Sequence, residues 1–545
     1  MCPYWKATSF VSFWREAKED PESLGPFALH IMSSKQPVRP SSSSNHPPSS
    51  RSGSEYAQQA PKVRQANDLR ESDDRIVPSI TGNSGGGKAV KLSRESGSTL
   101  FTLSGEVAVL KRLDRISQRA ESHPEETFNN LLTLITLDML HMAFHRLKED
   151  KSPGLDGQSV GDYRMNLGPN LQDLLQRIHR GSYRPQPSLR REILKENGKT
   201  RPLGLACVED KIVQRTLVMV LERIYEVDFY DNSYGYRPGK SCHQALGEMG
   251  KAISTRRVNW VSDADIQGFF DNVDHQHLLA FLNQRIADPR LLKLIEKFLD
   301  AGVMIEGRFH ETDEGIAQGS VLSPLLANVY LHYVLDQWFE EVVKKHIDGE
   351  AHLFRFADDF ICCFQYADDA KRYQSTLGKR LGRFGLSLAP EKTKLIRFGR
   401  FAARDSREMG EGVPKTFDFL GFTHCCGLSR AGKFKLKRKT SKKKFRAKLQ
   451  AMTAWLKRHL TTPAATVWEV VQLKLRGHYQ YYGINDNWPW LMKFRTATKF
   501  LLFRWLRRRS QTGKQAWTWA SFYRWLDIMP LSNPVKLTDL IAAYR

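Results

Sequence analysis

Residues 355–371 read RFADDFICCFQYADDAK, and the fold turns on how that stretch divides. It holds two look-alike tetrads ten residues apart, Phe356-Ala357-Asp358-Asp359 and Tyr366-Ala367-Asp368-Asp369. Their flanks separate them. Before the first, Phe354 and Phe356 alternate with Arg355; after it, Phe360, Cys362 and Phe364 alternate. Period-two spacing on both sides predicts strand, turn, strand, with Asp358 and Asp359 held at the tip and open to an ion. After the second tetrad, Ala370, Tyr373, Leu377, Leu381 and Phe384 recur at three- and four-residue intervals, which predicts an amphipathic helix. Asp368 or Asp369 then sits at its N-terminus, where a carboxylate accepts backbone N–H groups and meets the positive dipole end. A third pair, Asp73-Asp74, shows how little the dipeptide means alone.

Clustered carboxylates repel one another unless a cation lies among them. Phosphoryl transfer with two metal ions also wants an acid from a separate strand. The stretch WVSDADIQGFFDNVDH (260–275) offers one. Asp263 and Asp265 point to the same side of a strand, so alternation leaves both open. Mg2+ is the hard cation such a set implies. Any one of these aspartates alone reads as a cap or turn residue; their combination points to a site.

Composition points to a polyanionic partner. Of 545 residues, 41% are hydrophobic and 26% charged, so most of the chain is expected to be globular, with room for more than one domain. The formal net charge is +24, which puts nucleic acid first among partners. From Arg430 to Arg545 there are 26 Lys and Arg against 4 Asp and Glu, together with eight of the twelve Trp. A basic segment with interleaved aromatics suits phosphates and unpaired bases; the Trp are expected mostly in a helical core, with the basic face as the contact. The seven cysteines form no C-x-x-C pair, which argues against a zinc or disulfide framework and for a reducing compartment. His424, beside Cys425 and Cys426, reads as a buried strand end rather than a metal ligand. No apolar run of about 18 residues exists, so no membrane span is expected.

Residues 1 to about 100 differ from the rest. PSSSSNHPPSSRSGS (40–54) is low complexity, and GNSGGGKA (82–89) lacks the hydroxyl of a phosphate-binding P-loop, since Ala89 stands in its place. It reads as a Gly-rich linker. Ordered structure is expected from about Leu110, with mixed helices and strands to about Phe422 and a purely helical pattern beyond Lys433. There Phe445, Leu449, Met452, Leu456 and Leu460 keep helical spacing.

Further stretches occur in a fixed order: KSPGLDG (151–157), GSYRPQP (181–187), REILKENGKTRPLGLACVEDKIVQ (191–214), SYGYRPGKSCHQAL (233–246), DADIQGFFDNVDH (263–275), GIAQGSVLSPLLANVYLH (315–332), RFADDF, LAPEKTKLIRFG (388–399), TFDFLGF (416–422), GHYQYYGINDN (477–487) and RWLRRRSQ (504–511). Over roughly residues 105–545 the chain resembles a bacterial group II intron-encoded reverse transcriptase/maturase. The resemblance implies an α+β right-hand polymerase. Fingers and palm would occupy residues 105–425, and a basic all-α thumb/maturase (X) domain residues 426–545, after a disordered or low-complexity extension in 1–104. The family's metal-binding Asp precedes an apolar residue and lies five before an aromatic. Asp265, with Ile266 and Phe270, fits this; Asp263 does not.

By that resemblance Asp265, Asp358 and Asp359 are catalytic, and with Ile266 they bind two Mg2+. Lys195 and Arg201 would grip the incoming triphosphate. Phe270 would be a steric gate against a ribonucleotide 2′-OH, and Gln318 would line the nucleotide pocket. Gly421 would lie near the primer. Lys392, Lys442, Lys443, Lys444, Arg507, Arg508 and Arg509 would contact primer, template or RNA. Two departures are mild: Ala317 stands where the family often has Pro, and Phe356 where Tyr is common. No Cys/His-rich endonuclease module follows the basic segment, which puts autonomous cleavage of target DNA in doubt.

The expected function is an RNA-directed DNA polymerase that also binds its parent group II intron RNA and assists splicing and retromobility. Its expected partners are that intron RNA, an RNA template, a DNA primer, dNTPs, target DNA and a second copy of the chain, in a bacterial cytoplasm. The rivals are a domesticated reverse transcriptase without an intron and an RNA-binding splicing factor with a relict polymerase. Intact Asp265, Asp358, Asp359 and Gln318 argue against the second.

Overall fold

The structure, a computed structural model, describes residues 103–194, 200–510, 515, 517–534 and 538–540. The low-complexity stretch, Asp73-Asp74, the Gly-rich 82–89 stretch and Lys195 lie outside the described residues.

The strands are β1 (Ser188–Leu194), β2 (Thr200–Leu205), β3 (Trp260–Asp265), β4 (Val303–Ile305), β5 (Arg308–His310), β6 (Ala351–Phe356), β7 (Asp359–Phe364), β8 (Lys394–Arg397), β9 (Phe417–Phe419), β10 (Phe422–Leu428) and β11 (Phe434–Thr440). They form three sheets, ordered β2-β1-β4-β5, β6-β7-β3-β8 and β11-β10-β9. The β6-β7-β3-β8 sheet is antiparallel throughout. Mixed helix and strand precede a C-terminal region of helices, Lys442–Arg458, Ala464–Tyr482, Trp488–Arg508 and Trp519–Ile528.

The β6-β7-β3-β8 sheet is buried on both faces, which explains why FICCF is an unbroken apolar run. Phe360, Cys362 and Phe364 join one core with Leu326, Val329 and Phe339 of the preceding helices Ser323–Leu331 and Gln337–Glu341. Ile361 and Cys363 join a second core with Leu246, Met249 and Phe398. The first core extends to the Leu103–Ser122 helix through Val109, Leu113 and Ile116, so regular structure begins earlier than Leu110. The second extends through the C-terminal helices, where Leu491, Phe494, Leu502, Phe503 and Leu506 are buried. Each such side chain contributes roughly 1.5–3 kcal/mol.

Two expectations are corrected here. The region beyond 426 is not all helical, and residues 425 and 426, the expected boundary, both lie inside β10. The KFKLKRKT stretch (433–440) forms β11, paired along the whole of β10, and the helices begin only at Lys442. Its alternation was disguised because the inward face includes Arg438, which is 3% exposed and donates to the Leu246 carbonyl at 2.6 Å.

The second tetrad has a structural role that differs in detail from a cap. Tyr366 is the N-cap of the Ala367–Gly382 helix. Buried Asp369 instead accepts the N–H groups of Asp348 and Gly349, at 3.2 and 3.0 Å, and pairs with Arg372. It ties the loop before β6 to the helix. Asp368 is exposed and pairs with Lys371.

Candidate active site

The first tetrad closes the β6–β7 hairpin. Phe356 faces Asp359, leaving Ala357 and Asp358 as a two-residue turn. Ala357 has φ 57°, the positive value that primed hairpin turns need at their first position. For a residue with a Cβ this costs about 1 kcal/mol, so neighbours must hold it. The 233–239 loop does so. The Tyr234 N–H donates to the Arg355 carbonyl at 2.8 Å, and the Arg355 N–H to the Asn232 carbonyl at 2.9 Å. Gly235 lies so close that a Cβ there would stand 2.2 Å from the Ala357 nitrogen.

Register distinguishes the two aspartates that alternation left equivalent. Asp265 lies directly opposite Asp359, whereas Asp263 lies deeper, opposite Ile361 and beside Lys394 of β8. Burial, followed by the nearby Asp263, Asp358 and Asp265 charges, pushes Asp359 up to about 8. An N–H from Leu420 pulls the other way. Asp358 is raised by burial, with Asp265 adding to this and Arg201 opposing it. Asp263 is pushed up to about 6, mainly by burial.

Lys392 forms an ion pair with Asp265 and so stands in the carboxylate cluster. Its loop is strapped to β3: the Ala389 N–H donates to the Asp265 carbonyl at 2.8 Å, and the Gln267 N–H to Ser387 at 2.9 Å. The Ile266 side chain is buried, so only its backbone could reach an ion.

Arg201 on β2 donates through Nε to Gln318 Oε1 at 2.7 Å, and the Gly204 N–H donates to the Gln318 carbonyl at 2.7 Å. Two of the expected nucleotide-binding residues are thus joined at the edge of the first sheet, where the 317–321 loop meets β2. Phe270 follows β3 in a short 3-10 turn, and its carbonyl accepts the Ile316 N–H at 2.8 Å. Phe270 and Gln318 line one cleft with Pro202, Gly204 and Gln214. Gln214 was missed by the sequence reading. Its Oε1 accepts from Ser320 Oγ at 3.1 Å and the Val321 N–H at 3.0 Å, holding the 317–321 loop. It lies within a quoted stretch, but a helical Gln carries no signal of its own.

Leu420 and Gly421 turn between β9 and β10 with φ 48° and 77°. The turn is anchored by the C-terminal helices: Tyr481 Oη donates to the Leu420 carbonyl at 3.0 Å, and the Ser441 N–H to the Gly421 carbonyl at 3.0 Å. A Cβ at 421 would stand 3.0 Å from Tyr482 Oη. Since the Leu420 backbone also acts on the Asp359 carboxyl, lowering it, this turn stands close to the carboxylates.

The other expected RNA contacts belong to the helices. Lys442, Lys443 and Lys444 form the first turn of the Lys442–Arg458 helix, behind the Ser441 cap, which accepts the Lys444 N–H at 3.3 Å. Arg507 and Arg508 end the Trp488–Arg508 helix. Arg507 lies 5.7 Å from the Phe503 ring and Arg509 4.8 Å from the Trp505 ring.

Among the described residues, no three His, Cys, Asp or Glu side chains cage an ion by themselves. The carboxylates would suit a hard divalent ion such as Mg2+, whose remaining ligands would have to come from elsewhere, as phosphates supply them in nucleotide sites. Burial and mutual repulsion at Asp359 favour a cation there.

Residues 193–424 match the family model described as reverse transcriptase (RNA-dependent DNA polymerase). The chain is 37% identical over 222 residues to the group II intron-encoded protein LtrA of Lactococcus lactis subsp. cremoris, covering 40% of this chain and 37% of that protein. It is 34% identical over 249 residues to protein YkfC of Escherichia coli, covering 44% and 64%. It is 30% identical over 311 residues to the putative COX1/OXI3 intron 2 protein of Saccharomyces cerevisiae, covering 56% and 33%. The matches thus span from about a third to somewhat under two thirds of these relatives.

Proposed function

We propose that this chain, whose residues 193–424 belong to the reverse transcriptase family, is an RNA-directed DNA polymerase that also binds a group II intron RNA and assists its splicing and mobility. One observation carries the polymerase part. The β3–β7 register sets Asp265 opposite Asp359 at the hairpin tip, with the Arg201–Gln318 pair nearby. The intron part rests on the likeness to proteins named for group II introns and on the basic C-terminal helices.

In this reading the β2-β1-β4-β5 sheet belongs to the fingers, the β6-β7-β3-β8 sheet is the palm, and the helices from Lys442 onward are the thumb and maturase region. Asp265, Asp358 and Asp359 would hold the metal, with the Ile266 backbone beside them. Two Mg2+, when bound, would activate the primer 3′-hydroxyl and neutralise the departing pyrophosphate. Arg201, with Lys195, would set positive charge against the triphosphate. Gln318 is oriented for the nucleotide by its bond to Arg201. Phe270, 9% exposed at the cleft wall, would leave no room for a 2′-hydroxyl. Lys392 must share or yield Asp265 when metal enters. Template, primer and intron RNA would lie along the basic helices. Among the described residues no helix is long and apolar enough to cross a membrane.

Primer extension on an RNA template with Mg2+ and dNTPs tests this. Wild type and Asp368→Asn/Asp369→Asn should extend the primer. Asp358→Asn/Asp359→Asn should lose activity by at least about a thousandfold, the scale on which removal of a charge-stabilising group acts. An inactive wild type would sink the polymerase reading. Loss in the second-tetrad variant alone would move the site to that tetrad. Splicing of an intron at low Mg2+ that is unchanged by added protein would remove the maturase role.

A further inference from the structure

Among the described residues, a fully buried ion pair beside the carboxylate tip takes no part in the site. Arg355 and Asp336 are both fully buried and form an ion pair. Arg355 belongs to β6, next to the hairpin tip, yet it faces away from the carboxylates. Phe354 and Phe356 lie opposite Ile361 and Asp359, whereas Arg355 lies opposite Phe360, on the other face of the sheet. Its guanidinium forks onto Asp336, with Nε 2.8 Å from Oδ1 and Nη2 bonded to Oδ2. Nη1 donates to Asn328 Oδ1 at 2.9 Å and to the Ala357 carbonyl at 3.1 Å. Asn328 Nδ2 in turn donates to the Gly235 carbonyl at 2.7 Å, and Gly235 presses against Ala357. The network therefore reaches the residue before Asp358 by two routes.

Its far end is also unusual. Asp336 closes a π-helical turn, His332–Asp336, between the Ser323–Leu331 and Gln337–Glu341 helices. Such turns are rare and frequent at functional sites. Stability alone does not account for the pair, because apolar side chains of similar size are commonly as stable as a buried ion pair or more so. The bond to Ala357 does offer an account. A turn with a positive φ at a residue bearing a Cβ tends to relax, and relaxation would swing Asp358.

We propose that Arg355, Asp336 and Asn328 are positioning residues that lock the Ala357-Asp358 turn and so set Asp358 against Asp265 and Asp359 for metal binding. This rests on the metal-site reading above. The test uses full-length protein with primer–template and three readouts: thermal unfolding, Mn2+ binding by electron paramagnetic resonance, and the Mn2+ dependence of extension. Arg355→Met/Asp336→Leu replaces the pair by apolar groups. Asn328→Ala keeps the pair and loosens only the turn.

The double variant should unfold close to wild type yet bind Mn2+ about tenfold more weakly, as loss of a supporting shell does. Asn328→Ala should shift Mn2+ affinity in the same direction by less. Folded variants with wild-type Mn2+ affinity and Mn2+ dependence overturn the inference. If the double variant does not fold, unchanged affinity in Asn328→Ala overturns it. Asp358→Asn separates the two readings. A wild type that binds Mn2+ through Asp358 but extends no primer overturns the polymerase alone, and the variants' Mn2+ affinities still decide the positioning role. A wild type that does not bind Mn2+ through Asp358 overturns both.

Discussion

At the scale of single residues, the carboxylate tip depends on a neighbour that is not an acid. Gly235 is where the 233–239 loop meets the turn, and the space for a side chain there is taken by the Ala357 backbone. Backbone cannot swing aside as the end of a side chain can. Gly235→Ala should therefore destabilise the protein by about 1–3 kcal/mol, the usual cost of overpacking. It should reduce primer extension more than stability alone accounts for, because the displaced atom belongs to the residue before Asp358. Thermal unfolding and extension assays on the same preparation check this; an unchanged midpoint with full activity would show that the loop moves away freely.

At the scale of elements, the Lys442–Arg458 helix runs against its own dipole. Lys442, Lys443 and Lys444 fill its first turn, and no acidic residue stands there. Cations at a helix N-terminus are unfavourable by about 0.3–1 kcal/mol each. A bound polyanion would turn that cost into a gain. Lys442→Gln/Lys443→Gln should leave the midpoint of unfolding equal or slightly raised while weakening RNA binding. If both lysines contact phosphates, the slope of log affinity against log salt should fall by about two. An unchanged slope would mean that these lysines serve solvation only. Arg507 and Arg508, by contrast, end their helix where the dipole welcomes them, so their replacement should lower stability as well.

At the scale of the whole molecule, five histidines are buried among the described residues, His141, His275, His332, His424 and His478, and the last three are the strongly shifted ones. Burial, the largest cause for each, lowers His332 to about 3, His478 to about 3 and His424 well below its ordinary value. The unfolded chain takes up protons at these positions near pH 6.5 and the folded chain does not, so acid favours unfolding. Each histidine removes about 1.4 kcal/mol of stability per pH unit below that point, until its folded value is reached. Asp210 and Asp228, pushed up to about 6 mainly by burial, act the other way. They take up protons in the folded state first, so acid gains stability from them between about pH 6 and 4. The summed curve conceals both effects, and a variant exposes one. His478 stacks on Phe494 with ring centroids 3.9 Å apart, so His478→Phe retains an aromatic contact. Measured by urea unfolding, its stability relative to wild type should rise between pH 6.5 and 5 and stay level above pH 7. A difference that is flat throughout would mean that the imidazole takes up its proton equally in the folded and unfolded chain.

What the sequence determined was local. Short apolar flanks around Asp358-Asp359 identified the β6–β7 hairpin, although FICCF itself carries no alternation, and helical spacing after Tyr366 separated the second tetrad from it. The order of motifs then carried the resemblance to intron-encoded reverse transcriptases, and with it the expectation that Asp265, Asp358 and Asp359 are the acids. What only the tertiary structure decided was register and proximity between distant segments. Asp265 rather than Asp263 faces Asp359 because β3 pairs with β7 in one register, and nothing within the 260–275 stretch itself fixes that. β11 was hidden because its buried face carries Arg438, which bonds to the Leu246 carbonyl, far away in sequence. Arg355 looked like the polar half of an alternating strand. It is fully buried because Asp336, Asn328 and the Ala357 carbonyl meet it from a helix and a turn that no local pattern could bring together.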